Sequence, residues 1–268
     1  MAKRSKLKTG PAAGRRTVIA AKPKEAGRPE PVTANRFVEK LRAHQSQREL
    51  EKYKRYFKLG KGEYGEGDVF MGVRMGQVFS LAKQCMEMTL PEIEKLLESP
   101  IHEVRAGAVS IMDFQARNRK TPESRRKELF DLYIRRHDRI NNWDLVDRSA
   151  PHVVGGYLFD KPRKILYKLA RSKNMWERRT SIVSTWFFIR NGDVNDAFKI
   201  AELLLEDKED LIHKAAGSWL RTAGGKDRKR LISFLDEYAA VMPRTMLRYA
   251  IEHLDKDQRA VYMGRGSG

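Results

Sequence analysis

The chain has 268 residues, of which 41% are hydrophobic and 33% charged, so it can form one large domain, or two small ones, with an ample core. Cys85 is the only cysteine, which excludes a disulfide within a monomer and a cysteine-rich zinc site and predicts a reducing, cytoplasmic location. No apolar run approaches the roughly 20 residues that a membrane span needs, and the basic N-terminus lacks the apolar run of a secretory signal.

The formal net charge is +19, from 54 basic and 35 acidic residues. Residues 1–36 contribute +8 of this charge, because they carry ten Lys or Arg against Glu25 and Glu30. The remaining +11 belongs to residues 37–268, so the basic character is not confined to the N-terminus. A basic domain implies a nucleic acid, an anionic membrane surface or simply good solubility.

Residues 1–34 are rich in Lys, Arg, Ala, Gly and Pro, and this composition predicts a disordered basic tail. From Asn35, a candidate helix cap, apolar residues recur at helical spacing as far as Phe57. The segment 59–67 then places four glycines in nine residues and ends the helical pattern. It lacks the Gly-Lys-Ser/Thr ending of a phosphate-binding P-loop, so we do not interpret it as a nucleotide site.

Beyond Val69 the sequence is a succession of helical patterns separated by prolines and glycines. Similar segments begin at residues 103, 143, 176, 211 and 245, at spacings of 40, 33, 35 and 34 residues. A two-helix unit repeated about five times predicts an all-α fold, an α-solenoid of HEAT-like helix pairs over residues 35–256, with a flexible tail at 257–268. We expect a monomer. Four of the segments follow another predicted helix, and these helices are Glu92–Glu98, Pro162–Arg171, Val194–Glu206 and Leu231–Ala240.

In such a solenoid the second helices of successive units line the inner, concave surface. Arg179, Lys214 and Arg248 occupy one repeat position near the starts of three of these helices. Helix N-termini add positive charge there, so the pattern predicts a concave basic groove that follows the backbone of double-stranded DNA. The alternative is that these cations are ordinary solvated surface charges.

Trp143 and Asp147 stand four residues apart, which places an indole and a carboxylate on one face of a helix. An aromatic face beside a negative charge is suited to a flat cationic ligand. The six histidines are scattered, no His-Glu-x-x-His or zinc-ligand spacing is present, and we therefore expect no metal and no cofactor. The alternatives are a core tryptophan and an aspartate that serves only a helix turn or a repeat ladder.

Four motifs in order give the chain a more definite resemblance. They occupy residues 70–74 (Phe-Met-Gly-Val-Arg), 143–147 (Trp-Asp-Leu-Val-Asp), 174–179 (Asn-Met-Trp-Glu-Arg-Arg) and 214–217 (Lys-Ala-Ala-Gly). With these motifs the chain resembles the DNA alkylation repair (AlkD-like) family of DNA glycosylases, which are HEAT-like solenoids, over roughly residues 37–255.

This resemblance implies that Trp143 and Asp147 match the family's catalytic tryptophan and aspartate and that Arg179 matches its backbone-contacting arginine. Family members hydrolyse the N-glycosidic bond of positively charged N3- and N7-alkylpurines in duplex DNA, as the first step of base excision repair. They act on lesions left in the base stack, whereas most glycosylases extrude the target base. The further residues that we expect to contact DNA are Lys214, Arg248, Ser218, Trp219 and Arg148.

One position departs from the family pattern. The family's second active-site tryptophan directly follows the Lys-Ala-x-Gly element, where this chain has Ser218, and Trp219 comes one residue later. One residue corresponds to a rotation of about 100° around a helix. Either the helix register differs and Trp219 substitutes, or the aromatic pair is incomplete. The second case favours a non-catalytic DNA-binding scaffold, and a protein-binding solenoid is a third hypothesis that the large positive charge does not favour.

Overall fold

The structure, a computed structural model, describes residues 32–265. The predicted disordered tail, residues 1–34, therefore lies outside the described residues except for its last three, and Ala34 already begins a helix. Between residues 32 and 265 the regular elements are helices joined by turns and short extended stretches, and the only β-type pairing in this range is the isolated bridge between Val69 and Ile101. Within this range no helix has the length and apolar character needed to cross a membrane.

Three helices precede the repeated units. The first begins at Ala34, and its cap is Thr33, whose hydroxyl accepts a hydrogen bond from the Arg36 amide, so the predicted cap at Asn35 is wrong by two residues. Its Phe37 and Leu41 are buried in the core, and the glycine-rich segment follows the second helix as a series of turns. These helices are α1 (Ala34–Arg42), α2 (Gln47–Tyr56) and α3 (Met75–Gln84).

Five helix pairs follow, and the second helix of each pair packs against the second helix of the next. These second helices begin at residues 102, 143, 175, 210 and 244, each within one residue of the predicted repeat starts. The predicted all-α stack of helix pairs is confirmed. The pairs are α4 (Leu90–Leu97) with α5 (His102–Arg117), α6 (Glu123–Arg135) with α7 (Trp143–Ala150), α9 (Lys164–Leu169) with α10 (Met175–Arg190), α11 (Asn195–Leu203) with α12 (Asp210–Gly224), and α13 (Arg228–Tyr238) with α14 (Arg244–Ala250).

Glycine allows a close approach at two points, one between the turn that follows α7 and helix α10, and the other between α12 and α14. A Cβ on Gly155 would lie 2.2 Å from the Ser184 carbonyl oxygen, and a Cβ on Gly217 would lie 2.3 Å from the Met246 carbonyl oxygen. Real side chains do not tolerate such distances, so only glycine permits this spacing. The close contact sets how near the side chains of α12 and α14 come to each other in the site described below.

Helix α7 does not end like the other second helices. It runs into a π-helical turn, Pro151–Gly155, and then into the short helix α8 (Gly156–Leu158). Proline has no amide hydrogen, so the carbonyl group of Asp147, four residues earlier, cannot receive the usual helical hydrogen bond from residue 151. The irregular turn therefore begins one helical turn after Asp147.

The predicted flexible C-terminal tail, residues 257–268, is wrong for most of its length. Residues Lys256–Gly264 form a final helix, α15, whose N-terminus is capped by the Asp255 carboxylate. The ring of Tyr262 is buried, and its hydroxyl donates to Asp236 on α13 at 3.0 Å. Arg244 on α14 also donates to the Met263 carbonyl oxygen at 2.6 Å, so the helix is docked on both helices of the last pair. Residues 266–268 lie outside the described part of the chain.

Candidate active site

Six of the eight residues predicted to form the site line a single cavity of about 380 Å³. The cavity lies among four successive second helices, α7, α10, α12 and α14, and α2 closes one side of it. The two predicted residues that are missing from its lining are Arg148 and Arg248. The lining consists of Tyr56, Trp143, Asp147, Arg179, Leu211, Lys214, Ala215, Ser218, Trp219 and Tyr249.

Asp147 and Arg179 form a two-point ion pair in this cavity. The Nε and Nη2 atoms of Arg179 donate to the two carboxylate oxygens of Asp147 at 2.9 and 2.7 Å, and Nη1 donates to the Leu211 carbonyl oxygen at 2.6 Å. Arg179 is only 7% exposed, whereas 37% of the Asp147 side chain remains exposed. Three of the five N–H groups of Arg179 are thus bonded within the protein, while the carboxylate remains partly exposed to the cavity.

Burial raises the pKa of the Asp147 carboxyl above its usual range, while the Arg179 guanidinium acts to lower it and the nearby Asp144 to raise it. Burial and the pairing with Arg179 affect the chemistry of the carboxylate in different ways. Partial removal from water strengthens any interaction that the carboxylate makes with a cation in the cavity, and the guanidinium fixes the direction in which the carboxylate points.

The indole of Trp143 forms a second wall of the cavity. Trp143 is half-buried at the first position of α7, and its backbone amide donates to the Asn142 side chain at 2.8 Å. Its ring stacks on Phe57, with centroids 5.9 Å apart, and meets Tyr56 edge to face at 6.0 Å. Trp143 also lines an adjoining, more apolar cavity of about 300 Å³. The interpretation of Trp143 as a residue enclosed in the core is therefore wrong.

Helix α12 brings both Ser218 and Trp219 to the same cavity, and both are half-buried. The shift of one residue relative to the family pattern does not remove the indole from the site, because the cavity is wide enough to be lined by two consecutive positions of the helix. Two tryptophans, Trp143 and Trp219, thus contribute to the walls of one cavity together with Asp147.

The predicted row of cations is not uniform. Lys214 lines the cavity and pairs with Asp210 at 2.7 Å, and this carboxylate raises the pKa of the Lys214 ammonium group. Arg248 is exposed outside the cavity lining, and the position that continues the series is Tyr249. Arg179, Lys214 and Tyr249 follow one another at intervals of 35 residues. The predicted position in the last repeat, Arg248, is therefore one residue before the position that lines the cavity.

Arg148 has a structural environment that its neighbour Asp147 does not share. Its guanidinium lies between the rings of Phe79 and Phe114, 4.7 Å from each centroid. It also donates to Ser110 at 3.1 Å and lies 3.2 Å from the buried carboxylate of Asp113. Consecutive helical positions differ by about 100°, and this rotation turns Arg148 towards α3 and α5. We therefore withdraw the prediction that Arg148 contacts DNA.

A buried polar cluster next to the beginning of α7 was not predicted from the sequence. The His102 imidazole, fully buried, lies with Nε2 2.7 Å from Asp144 Oδ2 and Nδ1 3.7 Å from Asp68 Oδ2. Burial acts to lower the pKa of His102, but Asp144 and Asp68 together raise it to about 9. The Asn142 amide donates to Asp68 at 2.7 Å, which joins the cluster to the cap of α7.

Only part of this cluster has a signal in the sequence. Asn directly before a predicted helix is a common cap, and that rule points to Asn142. Asp68 and His102 lie 74 and 40 residues before Asn142, and no spacing rule connects residues so far apart.

Comparison with known proteins places the chain in a family and supports its fold. The family described as DNA alkylation repair enzyme matches residues 37–254. A solved structure described as a predicted DNA alkylation repair enzyme from Enterococcus faecalis is similar with a TM-score of 0.61 and 16% sequence identity, over 80% of this chain and 98% of that one. At that identity the likeness shows the fold alone. No curated protein sequence matches the chain.

Proposed function

This chain belongs to the DNA alkylation repair enzyme family, and from that premise we propose that it is a DNA glycosylase that hydrolyses the N-glycosidic bond of cationic N3- and N7-alkylpurines in duplex DNA. The observation that supports this proposal best is the pairing of Asp147 with Trp143 in one cavity. The carboxylate is fixed on one side by Arg179 and exposed on the other.

The proposed reaction begins with a substrate that is already weakened. Alkylation at N3 or N7 gives the purine a positive charge, and this charge labilises its bond to the deoxyribose. As the bond breaks, positive charge moves from the base to an oxocarbenium-like sugar, comparable to glycoside hydrolysis. A carboxylate beside the sugar then stabilises the transition state more than the ground state, which is the requirement for catalysis.

Asp147 is the residue that supplies this carboxylate in the proposal. A pair of unit charges about 4 Å apart is worth about 4 kcal/mol at an effective dielectric constant near 20. Such a contribution is adequate for a labile glycosidic bond and inadequate for an undamaged nucleoside, so the charge of the lesion itself provides selectivity. The free side of the carboxylate also suits it to orient the attacking water molecule.

The aromatic walls give the cation a favourable surface. An indole face contributes about 0.5–2 kcal/mol to the binding of a cation that lies close to it. In this proposal Trp143 contacts the lesion or its deoxyribose, and Trp219 supplies the second aromatic surface in place of the tryptophan that Ser218 replaces. Lys214 and Arg248 supply phosphate contacts that position the duplex without reading its sequence.

The decisive experiment measures the release of free 7-methylguanine from methylated duplex DNA. We expect the wild-type protein to release the base and the Asp147→Asn variant to lose most of that activity while it retains DNA binding. Asp131→Asn is the matched control, because Asp131 pairs with Lys127 on the exposed face of α6, away from the cavity. Equal release by wild type and Asp147→Asn would remove Asp147 from the mechanism.

A non-catalytic DNA-binding scaffold is the second candidate, and Ser218 is the observation that favours it. This hypothesis expects salt-dependent DNA binding with no release of 7-methylguanine by the wild-type protein. The variant Ser218→Trp distinguishes the two, because an incomplete aromatic pair would gain base release from the added indole. If Trp219 already substitutes for the missing tryptophan, the added side chain would only crowd the cavity.

A further inference from the structure

We propose that His102 is a positioning residue of this site: as a cation held between Asp68 and Asp144, it fixes the beginning of α7 and thereby the placement of Trp143 and Asp147. This inference rests on the proposed glycosylase function, and the experiments below are chosen so that the two can fail separately.

The geometry of the ring is the first argument. Both nitrogens of the fully buried His102 imidazole face carboxylate oxygens, Asp144 Oδ2 at 2.7 Å and Asp68 Oδ2 at 3.7 Å. A neutral imidazole carries only one N–H, and its other nitrogen would present a lone pair to a carboxylate. The contact with Asp144 is a hydrogen bond, whereas Asp68 lies within ion-pair distance of Nδ1 but too far for a hydrogen bond. The imidazolium carries a hydrogen on each nitrogen, so only the cation presents an N–H and positive charge to both carboxylates.

The charge balance of the cluster is the second argument. Asp68 and Asp144 are met by two cationic groups, His102 and Arg105, and Arg105 Nη2 lies 2.5 Å from Asp68 Oδ1. Asp68 and Arg105 are each about 95% buried as side chains. A buried carboxylate that loses its cationic partner strongly destabilises the folded protein. A neutral residue at position 102 removes the cation next to Asp68 and leaves Asp144, whose side chain is 17% exposed, without the cation that contacts it.

The path from the cluster to the site is short and made of direct contacts. The side chain of Asn142 makes both contacts: its Nδ2 donates to Asp68 Oδ2 at 2.7 Å, and its Oδ1 accepts from the Trp143 backbone amide at 2.8 Å. The ring of Phe57 lies between the His102 and Trp143 rings, with centroid distances of 5.1 Å to His102 and 5.9 Å to Trp143. Trp143 is thus held through its backbone and its indole by groups that contact the cluster.

His137 provides a matched control within the same chain. It is another buried histidine, with Nε2 2.8 Å from the Thr180 hydroxyl and its ring packed against Tyr133. No carboxylate contacts it among the described residues, and burial lowers the pKa of its imidazole. Replacing His137 tests the loss of a buried ring without the loss of a buried cation.

The kinetic test uses single-turnover release of 7-methylguanine by the full-length protein. We expect His102→Gln to lower the rate constant by on the order of tenfold to a hundredfold, as displacement of catalytic groups does, while the dissociation constant for DNA is unchanged. The double variant His102→Gln/Asp144→Asn should recover part of the rate, because the unpaired carboxylate is gone. His137→Gln should lower the melting temperature without lowering the rate constant at a temperature where it is folded.

A second readout does not depend on activity. In nitrogen-15 spectra of the full-length protein at neutral pH, both ring nitrogens of His102 should show the shifts of an imidazolium, and His102→Gln should move the indole N–H resonance of Trp143. His137→Gln should leave that resonance in place, and the Trp143→Phe variant identifies it.

A neutral His102 ring or an unmoved indole resonance overturns the inference, whether or not the protein releases bases. If His102→Gln does not fold, the Asp144→Asn variant and the nitrogen-15 chemical shifts of the His102 ring test the same inference. Absence of base release by the wild type, with these shifts as expected, counts only against the glycosylase proposal.

Discussion

Replacing Arg179 by methionine is the perturbation that tests the site most directly. Methionine keeps an unbranched apolar stem, although a shorter one, and removes the guanidinium that gives two hydrogen bonds to Asp147 and one to the Leu211 carbonyl oxygen. We expect lower stability, lower activity at neutral pH and an altered response to acid, each for a reason that the geometry supplies.

The magnitude of the stability change follows from the burial of the pair. Breaking a fully buried ion pair costs about 3–5 kcal/mol, since one charge remains unpaired in a poor solvent. Arg179 is 7% exposed, but the Asp147 side chain is 37% exposed, and water stabilises an exposed carboxylate. We therefore expect the free energy of unfolding to fall by roughly 2 kcal/mol, below the range for a fully buried pair.

The response to acid has a definite sign. Burial already raises the pKa of Asp147 above its ordinary value of 3.8, and Arg179 is the group that opposes this rise. Without the guanidinium the pKa rises further, so the reactive carboxylate is lost at a higher pH. The acid limb of the pH–rate profile should lie above pH 3.8 in the wild type and move to still higher pH in Arg179→Met.

Chemical denaturation measures the stability, and single-turnover release of 7-methylguanine across pH measures the acid limb. Arg178→Met is the control, because Arg178 forms a comparable pair with Asp207, at 2.6 Å, but does not line the cavity. It should lose stability without a shift in the acid limb. An acid limb that stays in place or moves to lower pH in Arg179→Met would refute the assignment of Asp147 as the reactive carboxylate.

The two remaining predictions concern the DNA-binding surface and the packing of α12 on α14. DNA affinity should fall steeply with salt, and Lys214→Ala or Arg248→Ala should weaken binding to all sequences alike and flatten the salt dependence, as measured by fluorescence anisotropy; affinity that is independent of salt would rule out the phosphate contacts. Gly217→Ala should reduce the free energy of unfolding by about 1–3 kcal/mol, because its Cβ would lie 2.3 Å from the Met246 carbonyl oxygen, and it should lower activity by displacing Tyr249. Gly76→Ala, where a Cβ meets nothing within 4 Å, is its control and should be neutral or slightly stabilising.

Repetition made much of the fold predictable. A two-helix unit has to bury its apolar face on its neighbours, so a recurring segment marks where each second helix begins. The predicted starts therefore agree with the structure to within one residue. The same rule does not apply to a segment that lies outside the repeats. Helix α15 was not predicted because its docking depends on contacts with α13 and α14, such as those of Tyr262 with Asp236 and of Met263 with Arg244, that no local pattern shows.

The chemistry of the site was predictable where it depended on one helix. Trp143 and Asp147 share a face because they are four residues apart, whatever surrounds them. The last repeat shows the limit of this logic. A register error of one residue selected Arg248, and the residue that lines the cavity is Tyr249, because an error of one position rotates a helical side chain by about 100°.

The sequence by itself determined the helical repeat, the excess of positive charge and the pairing of an indole with a carboxylate, because each of these features follows from local residue spacing or from composition. Only the tertiary structure decided how those groups are employed. It buried Arg179 against Asp147 and enclosed Arg148 between two rings. It also set His102 between carboxylates that lie 34 and 42 residues away along the chain. The physical reason is that burial and the distance between charges depend on which helices pack together, and packing joins residues that no local pattern connects.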